Sequence, residues 1–174
     1  MADEIQLSNA LLRPYRMTDV ASLARHANNR NVSRNLRNHF PYPYTSEDAR
    51  EFLERTVGLT PLRNLAIEVA GEAAGGIGLR LESDVHEGTA EIGYWLAEPH
   101  WGRGIVTEAV QAVTAYGFER FALRRIEAGV FERNVASARV LEKAGYVLEG
   151  RLRRQVIKDG EVMDALLYAF VAPD

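Results

Sequence analysis

The chain has no cysteine, which excludes a disulfide framework, a thiol nucleophile and a thiolate metal site. Lysine is nearly absent too: 19 of the 21 basic residues are arginine. The four histidines, His26, His39, His86 and His100, are scattered without ligand spacing, so no metal is expected. No apolar run reaches bilayer length, and the acidic opening Met1-Ala2-Asp3-Glu4 has no hydrophobic stretch behind it. Neither a signal peptide nor a membrane span is expected, and the cytoplasm is the natural location. Asn31-Val32-Ser33 fits a glycosylation sequon, which carries no weight without a secretion signal. Positive charge is also in short supply, at a net charge of −3. Arg25, Arg30, Arg34 and Arg37 cluster early, and Arg151, Arg153 and Arg154 cluster late. A nucleic-acid binder would be basic overall, so these read as solvated faces.

What remains is ordinary globular material. The 174 residues, 47% hydrophobic and 26% charged, suit one domain over residues 1–174. Such a domain buries roughly 70% of its unfolded surface. Ala10 to Arg13 reads as a strand closed by Pro14. Thr18 is the expected cap of a helix to Asn28 with Val20, Leu23, Ala24 and Ala27 on one face. The polar, arginine-rich stretch from Asn28 ends in Phe40-Pro41-Tyr42-Pro43-Tyr44, whose prolines forbid regular helix. Thr45 with Asp48 resembles a capping box before a helix buried through Ala49, Phe52, Leu53 and Val57. Asn64 to Ala70 and Gly75 to Leu81 read as two strands of a glycine-rich hairpin. Gly75-Gly76-Ile77-Gly78 has no helix behind it, so hairpin and strand are favoured over a phosphate loop.

From Thr89 the chain runs TAEIGYWLAEPHWGRGIVTE. Ile92, Tyr94 and Leu96 alternate as in a strand, and Gly93 marks a bulge or a close approach. Gly102-Arg103-Gly104 then opens a helix to Phe121, with Val106, Ala109, Val110, Val113 and Gly117 as its buried stripe. A strand, a glycine turn and a helix N-terminus make an anion site, because the first helical amides lack partners and the dipole is positive there. A dinucleotide fingerprint would need glycine where Thr107 stands, and a P-loop would need a Gly-Lys-Ser/Thr run that the chain lacks. Arg125 to Phe131 reads as a strand, and Val135 to Ala144 as a helix capped by Asn134 and stopped by Gly145. Tyr146 to Ile157 and Val162 to Val171 pair across Lys158-Asp159-Gly160-Glu161.

Three runs carry a family likeness: EIGYWL, WGRGIVTEA and NVASARVLEKAGY near 134–146. Together they resemble the GNAT superfamily of acyl-CoA-dependent N-acyltransferases, most of all its RimJ/RimL-like branch of ribosomal-protein N-terminal acetyltransferases. The resemblance spans roughly residues 8 to 171. It implies a single-domain GNAT fold of the α/β (α+β) class. The sheet would be mixed and mostly antiparallel, of about seven strands, flanked by about four helices, with a splayed central parallel pair.

The resemblance also implies acetyl-CoA as co-substrate. Its diphosphate would meet the loop and helix start at Trp101, Gly102, Arg103, Gly104, Ile105, Val106 and Thr107. Its pantetheine would lie along Tyr94, Trp95 and Leu96, with Asn134 and Ser137 contributing from the second motif. Trp101 and Val106 depart from the Gln or Arg and the small residue usual in the superfamily. Leu141 stands where many members keep a tyrosine acid, so Ser137 is the candidate acid. Glu91 is the candidate base and Glu68 the second choice. A strand N–H near Tyr94 to Leu96 would hold the thioester oxygen.

The acceptor is expected to be a primary amine, foremost a protein N-terminus. A lysine near 10.4 costs roughly 4–5 kcal/mol to deprotonate at pH 7, whereas an α-amine near 7.8 costs only about 1. The acceptor would meet residues 28–44 and the hairpin at 158–160. A small-molecule amine, and a catalytically silent acyl-CoA-binding module, are the alternatives. A homodimer through the last hairpin is open; membrane and nucleic-acid partners are not expected.

Overall fold

The computed structural model describes residues 4–173. In chain order the elements are β1 (Ile5–Gln6), β2 (Leu11–Arg13), α1 (Val20–Ala27), α2 (Arg30–Ser33), α3 (Ser46–Thr56), β3 (Asn64–Val69), β4 (Glu72–Leu81) and β5 (Thr89–Leu96). Then follow α4 (Ile105–Phe121), β6 (Arg125–Phe131), α5 (Val135–Lys143), β7 (Val147–Lys158) and β8 (Glu161–Val171). Among the described residues the strands form one mixed sheet of eight, ordered β1-β2-β3-β4-β5-β6-β8-β7, with β5 and β6 parallel. This is the expected α/β class, with one strand and one helix more than expected. The small additions are the two-residue β1 and the four-residue α2. Neither is long enough to show a period in sequence.

Two compact units divide the chain. The first holds the chain up to Gly78 together with Tyr94–Ala109; the second holds Leu79–Gly93 and everything from Val110 on. The boundaries fall inside β4, β5 and α4.

In the first unit, β2, β3 and β4 pair antiparallel in sequence order. Tyr15, Leu23, Ala27, Ala49, Leu53, Ala66 and Ala73 make its core. Arg13 is buried with them, and its guanidinium donates to both Asp19 oxygens and to Glu68. Those bonds, Asp19 first, raise the Arg13 pKa further above its already high value. Asp19 also corrects the expected cap. Thr18 sits within a 3-10 turn at Met17–Asp19, and the Asp19 carboxylate accepts the Arg16 N–H at 2.8 Å. The capping box at α3 is present: the Asp48 N–H donates to Thr45 Oγ1 at 3.2 Å and the Thr45 N–H to Asp48 Oδ2 at 2.7 Å. Val57 is the exposed C-cap of that helix rather than part of its buried face. The hairpin turns at Ala70-Gly71, both with positive φ, so Gly75 and Gly76 lie inside β4. A Cβ on Gly75 would stand 2.5 Å from the Trp95 carbonyl oxygen; close backbone approach, not turning, requires glycine there.

In the second unit, β5 pairs with β6 from Thr89↔Arg125 to Glu91↔Glu127. On its other side β6 pairs with β8 along its whole length, from Arg125↔Val171 to Phe131↔Ala165, and β8 pairs with β7. The β7–β8 turn is at Asp159-Gly160, with φ of 53° and 79°. Gly145 closes α5 at φ 93°, its N–H donating to Glu142 and the Tyr146 N–H to Leu141, a Schellman arrangement. Along α4, Ile105, Ala109, Val110, Val113 and Thr114 are buried, while Val106 is only half-buried. Gly93 is exposed, and a Cβ there would meet nothing within 4 Å, so the expected close backbone approach is not what puts glycine at this position. No described helix is long and apolar enough to cross a membrane.

Candidate functional site

The first unit carries the strand-to-helix connection. Its pivot is Trp101, whose indole N–H donates to the Leu96 carbonyl at 2.7 Å and folds the loop back onto the end of β5. Trp101 is 45% exposed, so this tryptophan works as a staple at the surface rather than as core. Gly102 and Gly104 follow with φ of 72° and 77°. Both are exposed, and a Cβ on either would meet nothing within 4 Å. Glycine is needed here for the left-handed backbone, and the space above it stays open. The first intrahelical bond runs from the Glu108 N–H to the Gly104 carbonyl at 3.1 Å. The N–H groups of Ile105, Val106 and Thr107 therefore precede the hydrogen-bond ladder of α4 at its positive end. Arg103 is exposed and lies 3.2 Å, Nη1 to Nδ1, from His100. Burial first, then the Arg103 charge, lowers the His100 pKa and keeps the imidazole able to accept.

Of the β5 residues, Trp95 turns its carbonyl toward Gly75 of β4, and the Leu96 carbonyl is taken by Trp101. Tyr94 is half-buried. Trp95 packs its ring on Phe40 at 5.4 Å between centroids, which seats the 28–44 segment on this strand.

The second unit carries Glu91, Asn134 and Ser137. Glu91 is bound by the Arg80 guanidinium, which also reaches Glu82 at 3.1 Å. These bonds raise the Arg80 pKa. Asn134 caps α5, its Oδ1 accepting the Ser137 N–H at 3.3 Å. Ser137 is half-buried in the first turn, and Leu141, one turn on, is fully buried. Glu68, the second choice for a base, is a counter-ion to Arg13 in the first unit.

The loop is thus open above two left-handed glycines and leads into three helical amides that precede the ladder of α4. A model of the acetyltransferase (GNAT) domain matches residues 9–147. The chain belongs to the GNAT family. The GNAT chain is 50% identical over 86 residues to the probable N-acetyltransferase YjcK of Bacillus subtilis (strain 168), covering 49% of this chain and 48% of YjcK. It is 38% identical over 81 residues to the ribosomal-protein-serine acetyltransferase of Escherichia coli (strain K12), covering 47% and 45%. The chain thus spans about half the length of these curated relatives. Mycobacterium smegmatis RimJ, solved in complex with CoA-disulfide, is similar over 98% of this chain and 87% of RimJ, with a TM-score of 0.82 at 28% identity.

Sequence reasoning about this GNAT chain missed Arg80 as the partner of Glu91, and Glu98 as the partner of Asn29 and Asn31. Arg80 had a local signal, since alternation on β4 puts it on one face with the half-exposed Gly78. Glu98 had none, because its partners lie more than sixty residues earlier in the chain.

Proposed function

We propose that the protein is an acetyl-CoA-dependent N-acetyltransferase whose acceptor is a primary amine, foremost a protein N-terminal α-amine. The observation that carries this reading is the pair of open, left-handed glycines directly ahead of the unladdered amides of α4. The acetyltransferase relatives and the CoA held by RimJ support it.

On this reading the amides of Ile105 to Thr107, with Trp101 to Gly104, take the diphosphate. The backbone of Tyr94, Trp95 and Leu96 takes the pantetheine. Acetyl-CoA supplies an activated thioester. The amine nitrogen attacks its carbonyl carbon, the amine proton passes to Glu91 directly or through water, the C–S bond breaks and the thiolate leaves. A strand N–H in β5 stabilises the oxyanion. Asn134 orients the arm, and the Ser137 hydroxyl donates to the departing sulfur. A thiol near 8.5 leaves readily at neutral pH, so Ser137 contributes well below the 10²–10⁴-fold reach of acid–base catalysis.

The test is titration of acetyl-CoA into the protein, followed by CoA release with N-terminal-serine peptides, polyamines and aminoglycosides. Release fastest with peptides is expected. Release only with small amines would move the acceptor class, and binding without release would favour the silent module to which the buried Leu141 points.

A further inference from the structure

Glu98 lies just past the end of β5, at the head of the 3-10 turn Glu98–His100. Its carbonyl accepts the Trp101 N–H at 3.1 Å, so its backbone belongs to the connection that ends in the glycine loop. Its side chain points elsewhere. Oε2 accepts from the Asn29 side-chain amide at 2.7 Å and Oε1 from the Asn31 side-chain amide at 2.9 Å. Both carboxylate oxygens are thus held by neutral amides that flank the first residue of α2. The Asn29 amide is oriented as well, because its Oδ1 accepts the Asn31 N–H at 2.8 Å and caps α2. One asparagine therefore caps the helix with its oxygen and holds Glu98 with its nitrogen. The neighbouring Asn28 accepts the Tyr44 N–H at 3.0 Å and closes the same segment at its far end.

We infer that Glu98 is a positioning residue that couples the acceptor segment to the cofactor loop, so that CoA binding at residues 101–107 orders residues 28–44. The inference rests on the acetyl-CoA reading above. A charge-assisted bond to each oxygen is strong enough to transmit a preference between two sites, whereas a single neutral contact at the surface is not. The clamp also demands a carboxylate. Glutamine at 98 offers one acceptor and one NH2, so one asparagine amide would face a donor.

The test compares the wild-type protein with Glu98→Gln and, from the opposite side of the clamp, Asn31→Ala. CoA is the probe for hydrogen exchange, and the N-terminal-serine peptide is the probe for kinetics. In the wild type, CoA should slow amide exchange across residues 30–40 at least tenfold. In either variant that slowing should vanish while the affinity for CoA stays within about threefold. The peptide KM should rise about tenfold with kcat nearly unchanged, and the double variant should be no worse than the worse single one. Equal slowing of exchange in wild type and variants, or none in the wild type, would overturn the coupling and leave the enzyme assignment standing. A wild-type protein that binds no CoA would overturn both.

Discussion

Gly104 separates conformation from recognition at the scale of a single residue. Its φ of 77° strains any side chain, yet the space around it is empty. Gly104→Asp should therefore cost only about 1–2 kcal/mol of stability. It should abolish acetyl-CoA binding, because a Cβ and a negative charge would stand where the diphosphate belongs. Calorimetric titration beside a melting curve separates the two effects, and intact affinity would refute the loop assignment. Glu91 is the base in the proposed reaction. Glu91→Gln should lower turnover chiefly at low pH, where the amine arrives protonated. An unchanged pH–rate profile would leave Glu91 as only the ion-pair partner of Arg80.

Helix α4 and strand β7 are held at a polar contact inside the second unit. Thr114 is buried on α4, and its hydroxyl lies 2.7 Å from the Tyr146 hydroxyl, which precedes β7. Tyr146→Phe keeps the ring that packs on Phe170 at 5.6 Å but strands the Thr114 hydroxyl. A loss of about 1–3 kcal/mol is expected by urea denaturation. Adding Thr114→Val should recover part of that loss, because removing both partners is cheaper than removing one. Strand β7, the last in the sheet, exposes Val147, Leu148 and Ile157 beside Arg151, Arg153 and Arg154. Charge of that kind guards an open edge against indiscriminate pairing.

The whole molecule joins these groups in its response to pH. Tyr44 and Tyr146 are both pushed up to about 12, by burial above all, and burial raises Tyr15 in the same direction. Folding holds these phenols protonated. Their contribution is intact below the ordinary tyrosine value near 10 and is lost as pH rises toward about 12, at roughly 3 kcal/mol for Tyr146. The acid side has the opposite sign. Thr45 bonding lowers Asp48, and the Arg125 guanidinium lowers Glu149, so their contributions hold above the usual carboxylate range and fade as pH falls through it. Glu149 is exposed and Asp48 half-exposed, and both are screened by solvent, so the acid loss should be shallow. Thermal melts across pH, read with tyrosinate absorbance, should show cooperative unfolding between about pH 10 and 12 and only a gradual decline below about 4.

Local codes are legible in the order of residues alone. The capping box at Thr45, the Asn134 cap, the Gly145 stop, the Asp159-Gly160 turn and the glycine pair at 102 and 104 each depend on neighbours within a few residues. The physics of caps and turns acts over that range. Family motifs extend that reach to the fold class and to the cofactor expected at the loop. Tertiary structure alone decided which charged groups meet. Arg13 paired with Glu68, Arg80 took hold of Glu91, and Asn29 with Asn31 closed on Glu98. Such pairings join residues far apart in the chain, and their energy depends on burial and orientation, which no periodicity in one dimension encodes.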